Sequence, residues 1–402
     1  MIPSPTETPG VRWVFPAKDD AAVRILFSCI PTEGHVRPIV PLARALAAAG
    51  HEVTFATGAD REKDVLAAGF LHVTAGLSEH EARGPAAMQR RELESIPIDA
   101  RRRFGFSRIF GLVHAPPKLP ELLALLRSRP FDAIVHDSGD LAAPVAAAAL
   151  GLPSINHSFG AMIPLSILEL AGELVEPLWR GQGLEPEPYA GSFRGLYVDI
   201  SPPSFAWEEP QGASIRLRPF EQESDEAPEW LAQLERPLVY ATLGTIFNAP
   251  ALFRPLLDGL DEVPAVLVTT GRNVDPDSLK PVPAHVRIER FVPQAQVLPS
   301  CAAVVTHGGS GTTLGALAHG LPLLLVPQGA DQFDNAARCK RVGAAIVLRP
   351  DEVTPDAVRA GLRRLLDEPS FRLGAEAVAA EIALMPTPAD AAAAVEAHIA
   401  AR

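Results

Sequence analysis

A short apolar run, Ala303 to Thr306, passes directly into Thr306-His307-Gly308-Gly309-Ser310-Gly311-Thr312-Thr313, then into a helical stretch and a second apolar run, Leu321 to Val326. Two buried strands joined by a glycine turn and one helix leave few topologies open. A parallel pair needs a crossover of about a dozen residues, which a helix supplies in the right-handed sense. This part of the chain is therefore expected to be layered α/β structure. The glycine turn falls at the carboxyl end of a strand, where such sheets hold their ligands. Asp331-Gln332 stands at the same edge, after the second run.

The alternation recurs on both sides of a proline-rich middle. In the first half, Val23 to Ile30 reads as a strand and Pro31 to His35 as a turn. Ile39, Leu42, Ala43 and Leu46 then repeat at helical spacing up to Gly50, and Glu52 to Thr57 is the next strand. Asp132 to His136 is a strand ending at Asp137; an alanine-rich helix and the strand Ser154 to His157 follow. In the second half the strands are Leu238 to Thr242, Ala265 to Thr269, Val286 to Glu289, Ala303 to Thr306, Leu321 to Val326 and Ala344 to Leu348. Helices are expected over Gly311 to His319, Asp331 to Val342, Pro355 to Asp367, Phe371 to Leu384 and Ala389 to Ala401. Segments Leu77 to Leu126 and Phe159 to Leu196 show helical pieces without a sharp period, as variable substrate surfaces often do. Prolines at 202, 203, 210, 219, 228 and 237 among many acids mark a linker. The expected division is an N-terminal arm (1–22), a first Rossmann-like domain (23–212), a linker (213–236), a second Rossmann-like domain (237–385) and a C-terminal helix (386–402).

A length of 402 residues with 47% hydrophobic content suits two cores. The net charge of −12 argues against a nucleic-acid partner, which wants a basic face. The arginines at 90, 91, 101, 102 and 103 are read as a solvated surface. Cys29, Cys301 and Cys339 are too far apart for metal-ligand spacing and fit buried thiols in a reducing cytosol. Met1 to Asp20 lacks the apolar core of a secretory signal. No run of 18 apolar residues occurs, so no membrane span is expected, and a cytoplasmic location follows.

The glycine turn reads as a diphosphate pocket. A backbone free of Cβ atoms can approach phosphate oxygens, and the free N–H groups at a helix start attract anions. Ser310, Thr312 and Thr313 add hydroxyls, and His307 adds a ring nitrogen or, if protonated, a charge. The absence of a following lysine excludes a P-loop, and the glycine spacing excludes G-x-G-x-x-G. A hydrolase elbow, G-x-S-x-G, fails because its last position is Thr312. Asp331 is open to two readings: an N-cap, or with Gln332 a grip on vicinal hydroxyls.

His35 follows the first strand, and Asp137 ends another strand of the same half. If the two meet above the sheet, the carboxylate fixes the tautomer of a general base and stabilises its protonated form. His136 and His157 are read as structural or as lining an acceptor. Phe104, Phe106, Phe110, Phe159 and Trp179 are candidate apolar walls, with Phe104, Phe110 and Phe159 taken forward as acceptor-binding.

Gly34-His35-Val36-Arg37-Pro38, the His-Gly-Gly-Ser-Gly-Thr-Thr turn, Phe291-Val292-Pro293-Gln294 and Ala330-Asp331-Gln332 resemble family 1 glycosyltransferases. The bacterial branch that decorates natural products is the most similar, over most of Val23 to Ala401. The resemblance implies a GT-B fold: two Rossmann-like domains facing across a cleft, with the last helix crossing back to the first domain. It implies His35 as base with Asp137 as partner, and Val292 (through its backbone) and Gln294 on a pyrimidine. It implies His307, Gly309, Ser310, Gly311 and Thr312 on the diphosphate, with Thr242, Gly244 and Thr245 nearby, and Asp331 and Gln332 on the sugar. Phe291 stands where many relatives have a base-stacking tryptophan, and Arg37 where an asparagine is common; both bear on donor choice. The expected activity is inverting transfer of a sugar from a TDP or UDP donor to a hydroxyl of a small hydrophobic acceptor. No cofactor is expected; no Asp-x-Asp is read in the chain for a divalent ion, so no metal is expected, and a homodimer is left open as the assembly. A non-catalytic nucleotide-sugar-binding auxiliary protein and a nucleotide-sugar epimerase are the alternatives; the presence of both His35 and Asp137 favours an enzyme.

Overall fold

A computed structural model describes residues 22–96, 98–219, 227–244, 249–272 and 274–401. The expected N-terminal arm, apart from Ala22, and Thr245 lie outside the described residues, as does part of the expected linker.

Two parallel sheets carry the two halves. The first comprises β1 (Arg24–Ser28), β2 (Glu52–Thr57), β3 (Leu71–Thr74), β4 (Ala133–Asp137), β5 (Ser154–His157), β6 (Leu196–Asp199) and β7 (Ser214–Arg216), in the order β3-β2-β1-β4-β5-β6-β7. The second comprises β8 (Leu238–Thr242), β9 (Ala265–Thr269), β10 (Val286–Glu289), β11 (Cys301–Thr306), β12 (Leu323–Leu325) and β13 (Ala345–Val347), in the order β10-β9-β8-β11-β12-β13. Their central strands are unbroken apolar runs because helices cover both faces; Ile25, Leu26, Phe27, Ile134 and Val135 have no exposed surface. Each strand order reverses once, at β1/β4 and at β8/β11. A crevice opens at the carboxyl ends of the strands on either side of such a reversal.

The helices of the first half are α1 (Glu33–Ala48), α2 (Glu62–Ala67), α3 (Glu79–Glu92), α4 (Ile98–Arg108), α5 (Ala115–Ser128), α6 (Ala143–Leu150) and α7 (Leu165–Arg180). Those of the second are α8 (Pro250–Asp258), α9 (Gln294–Val297), α10 (Ser310–Ala318), α11 (Gln332–Arg341), α12 (Pro355–Asp367), α13 (Pro369–Leu384) and α14 (Pro388–Ala400). Three differences from the sequence reading matter. First, α1 begins at Glu33 rather than near Ile39, so His35 lies in the first helical turn and not in a loop. Second, β7 falls in the stretch assigned to the linker. It pairs in parallel with β6, and three residues of edge strand are too short to show an alternating pattern. Third, α4 and α5 are continuous through a π-helical turn, Ile109–His114. Pro116 and Pro117 have no N–H to give the preceding turn, and the helix widens just ahead of them. The resulting stretch Arg103–Ser128 is long and apolar enough to cross a membrane by length and composition, yet more than half of its most apolar window is buried inside the protein. It contains no uninterrupted apolar run of membrane-spanning length, because Arg108, His114, Lys118 and Glu121 punctuate it.

The two halves share a core. Ala391, Ala392 and Val395 of α14 belong to the same buried cluster as Ile39, Leu42 and Leu46 of α1, and His51 pairs with Glu396 at 2.8 Å. Arg338 of α11 donates to the Phe205 carbonyl at 2.9 Å, and the Ser204 N–H to Glu381 at 2.8 Å.

Candidate active site

The first crevice contains a histidine and a carboxylate in contact. His35 Nδ1 lies 2.7 Å from Asp137 Oδ1. Asp137 ends β4 fully buried, and its oxygens also accept the Ile30 N–H and the Gly139 N–H, each at 2.7 Å. Burial alone would raise its pKa. The His35 imidazole, the Ile30 N–H and the Lys118 ammonium outweigh that and hold the carboxyl below its ordinary range. Gly139 makes the approach possible: a methyl group there would stand 2.8 Å from His35 Cε1 and 2.9 Å from Asp137 Oδ1. The His35 side chain remains 11% exposed, so its Nε2 edge is the part left for a substrate.

Aromatic rings close around that edge. Phe159 lies 4.0 Å and Phe110 5.3 Å from the His35 ring, centroid to centroid, and Phe106 lies 4.7 Å from Phe110. Ile163, Ile167 and Leu168 pack with Phe106 and Phe159 as a separate apolar cluster. Of the three phenylalanines taken as acceptor walls, Phe110 and Phe159 meet His35. Phe104 sits earlier on the same helix, half-buried, and the ring contacts to His35 do not come from it. Trp179 is buried among Val175, Ala171 and Ala190 in the core and is no wall. His136 is likewise internal, between the Asp137 carbonyl and the Ser154 hydroxyl. Burial pushes the His157 imidazole down to about 4.

The second crevice holds the glycine turn. Gly309 precedes α10 with extended backbone and no side chain caps the helix, so its first N–H groups face outward. A Cβ at Gly311 would meet nothing within 4 Å, which leaves open space before the helix end. Three further glycines leave no room for a side chain. Gly308 has φ of +90°, and a Cβ on Gly309 or on Gly244 would fall 2.5 Å from His307. The His307 ring is thus held between Gly244, after β8, and Gly309, ahead of α10, its Nδ1 3.1 Å from the Thr306 hydroxyl. Burial pushes it down to about 4, so near neutrality His307 offers an N–H rather than a charge. Thr242, buried at the end of β8, accepts from the Gly244 N–H at 3.3 Å. Gln294 begins α9 and donates to Thr312 Oγ1 at 2.9 Å, and Val292 is buried beside it.

Asp331 does not cap its helix. It sits in helical conformation without a side-chain cap bond, after Ala330 at a left-handed φ of 51°, unusual for a residue with a Cβ. Its Oδ2 instead accepts from the Ser310 hydroxyl at 2.7 Å and from Asn335 Nδ2 at 2.9 Å. Gln332 is buried, and its oxygen accepts the N–H groups of Gln328 and Gly329 at 2.7 and 3.2 Å. Gln332 therefore fixes the loop beside Asp331, with only its amide nitrogen left for a ligand.

The two crevices meet. A methyl at Gly160 would fall 2.1 Å from Ser310 Oγ, so the Phe159-Gly160 loop touches His35 with one residue and the start of α10 with the next. At the other end of the cleft, Arg37 lies over the exposed Phe291 ring at 5.7 Å, and Arg272 approaches Glu33 to 3.7 Å. The erythromycin biosynthesis protein CIII-like C-terminal domain family matches residues 254–398. The L-demethylnoviosyl transferase of Streptomyces niveus is 32% identical over 91% of this chain and 96% of its own length. The chain belongs to the bacterial natural-product branch of the family 1 glycosyltransferases. The glycosyltransferase SsfS6 of Streptomyces sp. SF2575, complexed with thymidine diphosphate, superposes with a TM-score of 0.77 at 28% identity over 93% of this chain and 99% of that one. The spinosyn rhamnosyltransferase SpnG, complexed with spinosyn aglycone, does so with a TM-score of 0.78 at 27% identity over 93% and 100%. The fold is GT-B.

Within this glycosyltransferase site, sequence reasoning missed Gly139, Gly160 and Asn335. Asn335 was legible, since it lies one helical turn from Asp331 and so on the same face. Gly160 was not, because its neighbour comes from the other half. One Asp-x-Asp sequence, Asp275-Pro276-Asp277, was also overlooked. Asp275 accepts from the Asp277 N–H within its own turn, and the Asp277 carboxylate pairs with Lys280 at 2.7 Å.

Proposed function

We propose that the protein is an inverting, metal-independent glycosyltransferase that moves a sugar from a pyrimidine-diphosphate donor, TDP or UDP, to a hydroxyl of a small hydrophobic acceptor. The observation that carries this reading is the continuity of the two crevices: a base–carboxylate pair and an uncapped helix start are joined by two adjacent residues, Phe159 and Gly160. His35 removes the acceptor proton, the oxygen attacks the anomeric carbon, and the bond to the diphosphate breaks on the opposite face. Charge growing on the diphosphate meets the α10 amides, with the His307 N–H beside them, dipoles already in place before the reaction. The apolar lining of Phe106, Phe110, Phe159 and Ile163 suits an aglycone. An intact His35–Asp137 pair argues against a non-catalytic auxiliary role, which would have no use for it.

Calorimetric titration with TDP and UDP in the presence of a chelator tests the donor half; absence of binding by both would end the proposal. Incubation of α-configured TDP- and UDP-sugars with a panel of hydroxylated hydrophobic aglycones tests the rest. Release of the nucleoside diphosphate with a β-linked product is expected, and an α-linked product would exclude inversion. Asp331→Ala is expected to raise the KM for the nucleotide-sugar by roughly 10- to 100-fold, the worth of a charged hydrogen bond of about 1.5–3 kcal/mol. Affinity for the free nucleoside diphosphate should stay unchanged; equal losses in both would remove Asp331 from the sugar.

A further inference from the structure

Behind the His35–Asp137 pair lies an ion pair that the transfer step does not touch. Lys118 of α5 is 2% exposed and Asp140, in the turn after β4, is 1% exposed, with Nζ 2.8 Å from Oδ2. Such a pair is costly to desolvate, and apolar residues of like volume commonly serve stability as well. Stability alone thus gives weak reason for two charges here. Both oxygens of Asp140 are engaged. Asp140 Oδ2 also accepts the Ser28 hydroxyl at 2.6 Å, and Oδ1 accepts the N–H groups of Ala142 and Ala143 at the start of α6, both at 3.2 Å.

The second partner of Lys118 links the pair to the dyad. Nζ donates to the Cys29 carbonyl at 2.6 Å. That carbonyl belongs to the same peptide group as the Ile30 N–H, which donates to Asp137 Oδ2 at 2.7 Å. One peptide therefore separates the ammonium from the carboxylate that holds His35. A cation on its oxygen polarises the group and strengthens the bond its N–H makes. Against burial, which raises the Asp137 carboxyl, the ammonium joins His35 and the Ile30 N–H in lowering it, and it adds to burial and His35 in lowering the His114 imidazole.

We propose that Lys118 and Asp140 are positioning residues that set the pH at which His35 is free to accept a proton, Lys118 acting through the Cys29–Ile30 peptide. The inference rests on His35 being the base of the proposed function. The groups around His35 are Asp137 on β4, His114 on the π turn, Lys118 on α5 and Asp140 before α6. Glu33 and Arg37 lie on its own helix, Arg272 reaches Glu33 from the other half, and Asp331 lies beyond Gly160 and Ser310. Among these, Lys118 and Asp140 act with opposite sign. The lysine engages Asp137 and repels an imidazolium, so it favours neutral His35. The aspartate offsets that charge.

Titration of the His35 ring by NMR in the 402-residue chain tests this without donor or acceptor, so its outcome is independent of whether glycosyl transfer is ever detected. The chain has 11 histidines, and His35→Gln assigns the signal. Asp140→Asn keeps the side chain's size and one oxygen acceptor, turns an N–H donor toward either the start of α6 or Lys118, and removes the offsetting charge; the His35 midpoint should fall by about half a pH unit or more. Lys118→Met should raise it by a similar amount. A role limited to holding the fold would lower stability in both variants without moving the midpoint in opposite directions. Unmoved midpoints, or shifts of the same sign, would overturn the proposal. If Lys118→Met does not fold, Asp140→Asn decides alone: a midpoint that is unchanged or raised overturns it.

Discussion

His35→Ala is expected to lower turnover by roughly 10²–10⁴-fold, the usual worth of a positioned general base, while TDP or UDP binds as before. The separation follows from the geometry. His35 is on α1 in the first half, and the groups facing the proposed diphosphate site, His307 and the α10 amides, do not depend on it. No neighbour can replace it. Asp137 is buried and already accepts from His35, Ile30 and Gly139. His114 lies behind Phe110, their ring centroids 5.9 Å apart, and burial has pushed it down to about 4, so it is a poor base near neutrality. Asp137→Asn should follow the same pattern with a milder or equal loss. An amide in place of the carboxylate must turn a donor toward either the Ile30 and Gly139 N–H groups or the His35 ring, and it no longer stabilises the imidazolium. Single-turnover rates at saturating donor measure the effect. An alanine variant with undiminished turnover would assign the proton to another group or to water.

The sequence disclosed those parts of this site that each half builds by itself. The alternation of apolar runs and helical spacing located most of the strands, because central strands of a parallel sheet are buried on both faces and read as uninterrupted apolar stretches. It overlooked β3, β6 and β7, which lie toward the edges of the first sheet. The meeting of His35 with Asp137 could be anticipated, because β1 and β4 start the two branches of a doubly wound sheet and their ends must adjoin. The start of α1 could not be placed. Pro38 and Pro41 argue locally against helix, yet both lie inside it. Asp331 looked equally like a helix cap until its carboxylate was seen on Ser310 and Asn335. Contacts between the halves, Gly160 on Ser310 and Arg37 on Phe291, had no local signature, since they join residues 150 or more positions apart. The buried Lys118 was invisible for a related reason. A single lysine in a helical stretch reads as a solvent-facing residue unless its partner's position is known.

Lowering the pH from 7 to 5 is expected to destabilise the protein by several kcal/mol, through histidines rather than carboxylates. Burial pushes His114 and His157 down to about 4, and His307 likewise although some of that residue stays accessible; His136 is also lowered. An unfolded chain protonates histidine near its ordinary value of about 6.5. Between that value and about 4 the unfolded state binds protons that the folded state refuses. Stability therefore rises with pH through this window and levels off above it. Each such histidine contributes about 1.4 kcal/mol per pH unit. His114 and His157 alone give roughly 3 kcal/mol per unit, a large share of the 5–15 kcal/mol that typically separates folded from unfolded chains. Asp137 cannot produce this slope, because its lowered carboxyl titrates below the ordinary aspartate range. Asp199, raised by burial, opposes it, but as one group against several. Urea midpoints between pH 4.5 and 7.5 measure the slope, and His157→Asn should remove about one proton's share of it. A stability that is flat from pH 7 to 5 would mean that these rings are hydrated or paired in solution. A bound nucleoside diphosphate should reduce the slope, since a dianion beside His307 raises the pH at which that ring accepts its proton.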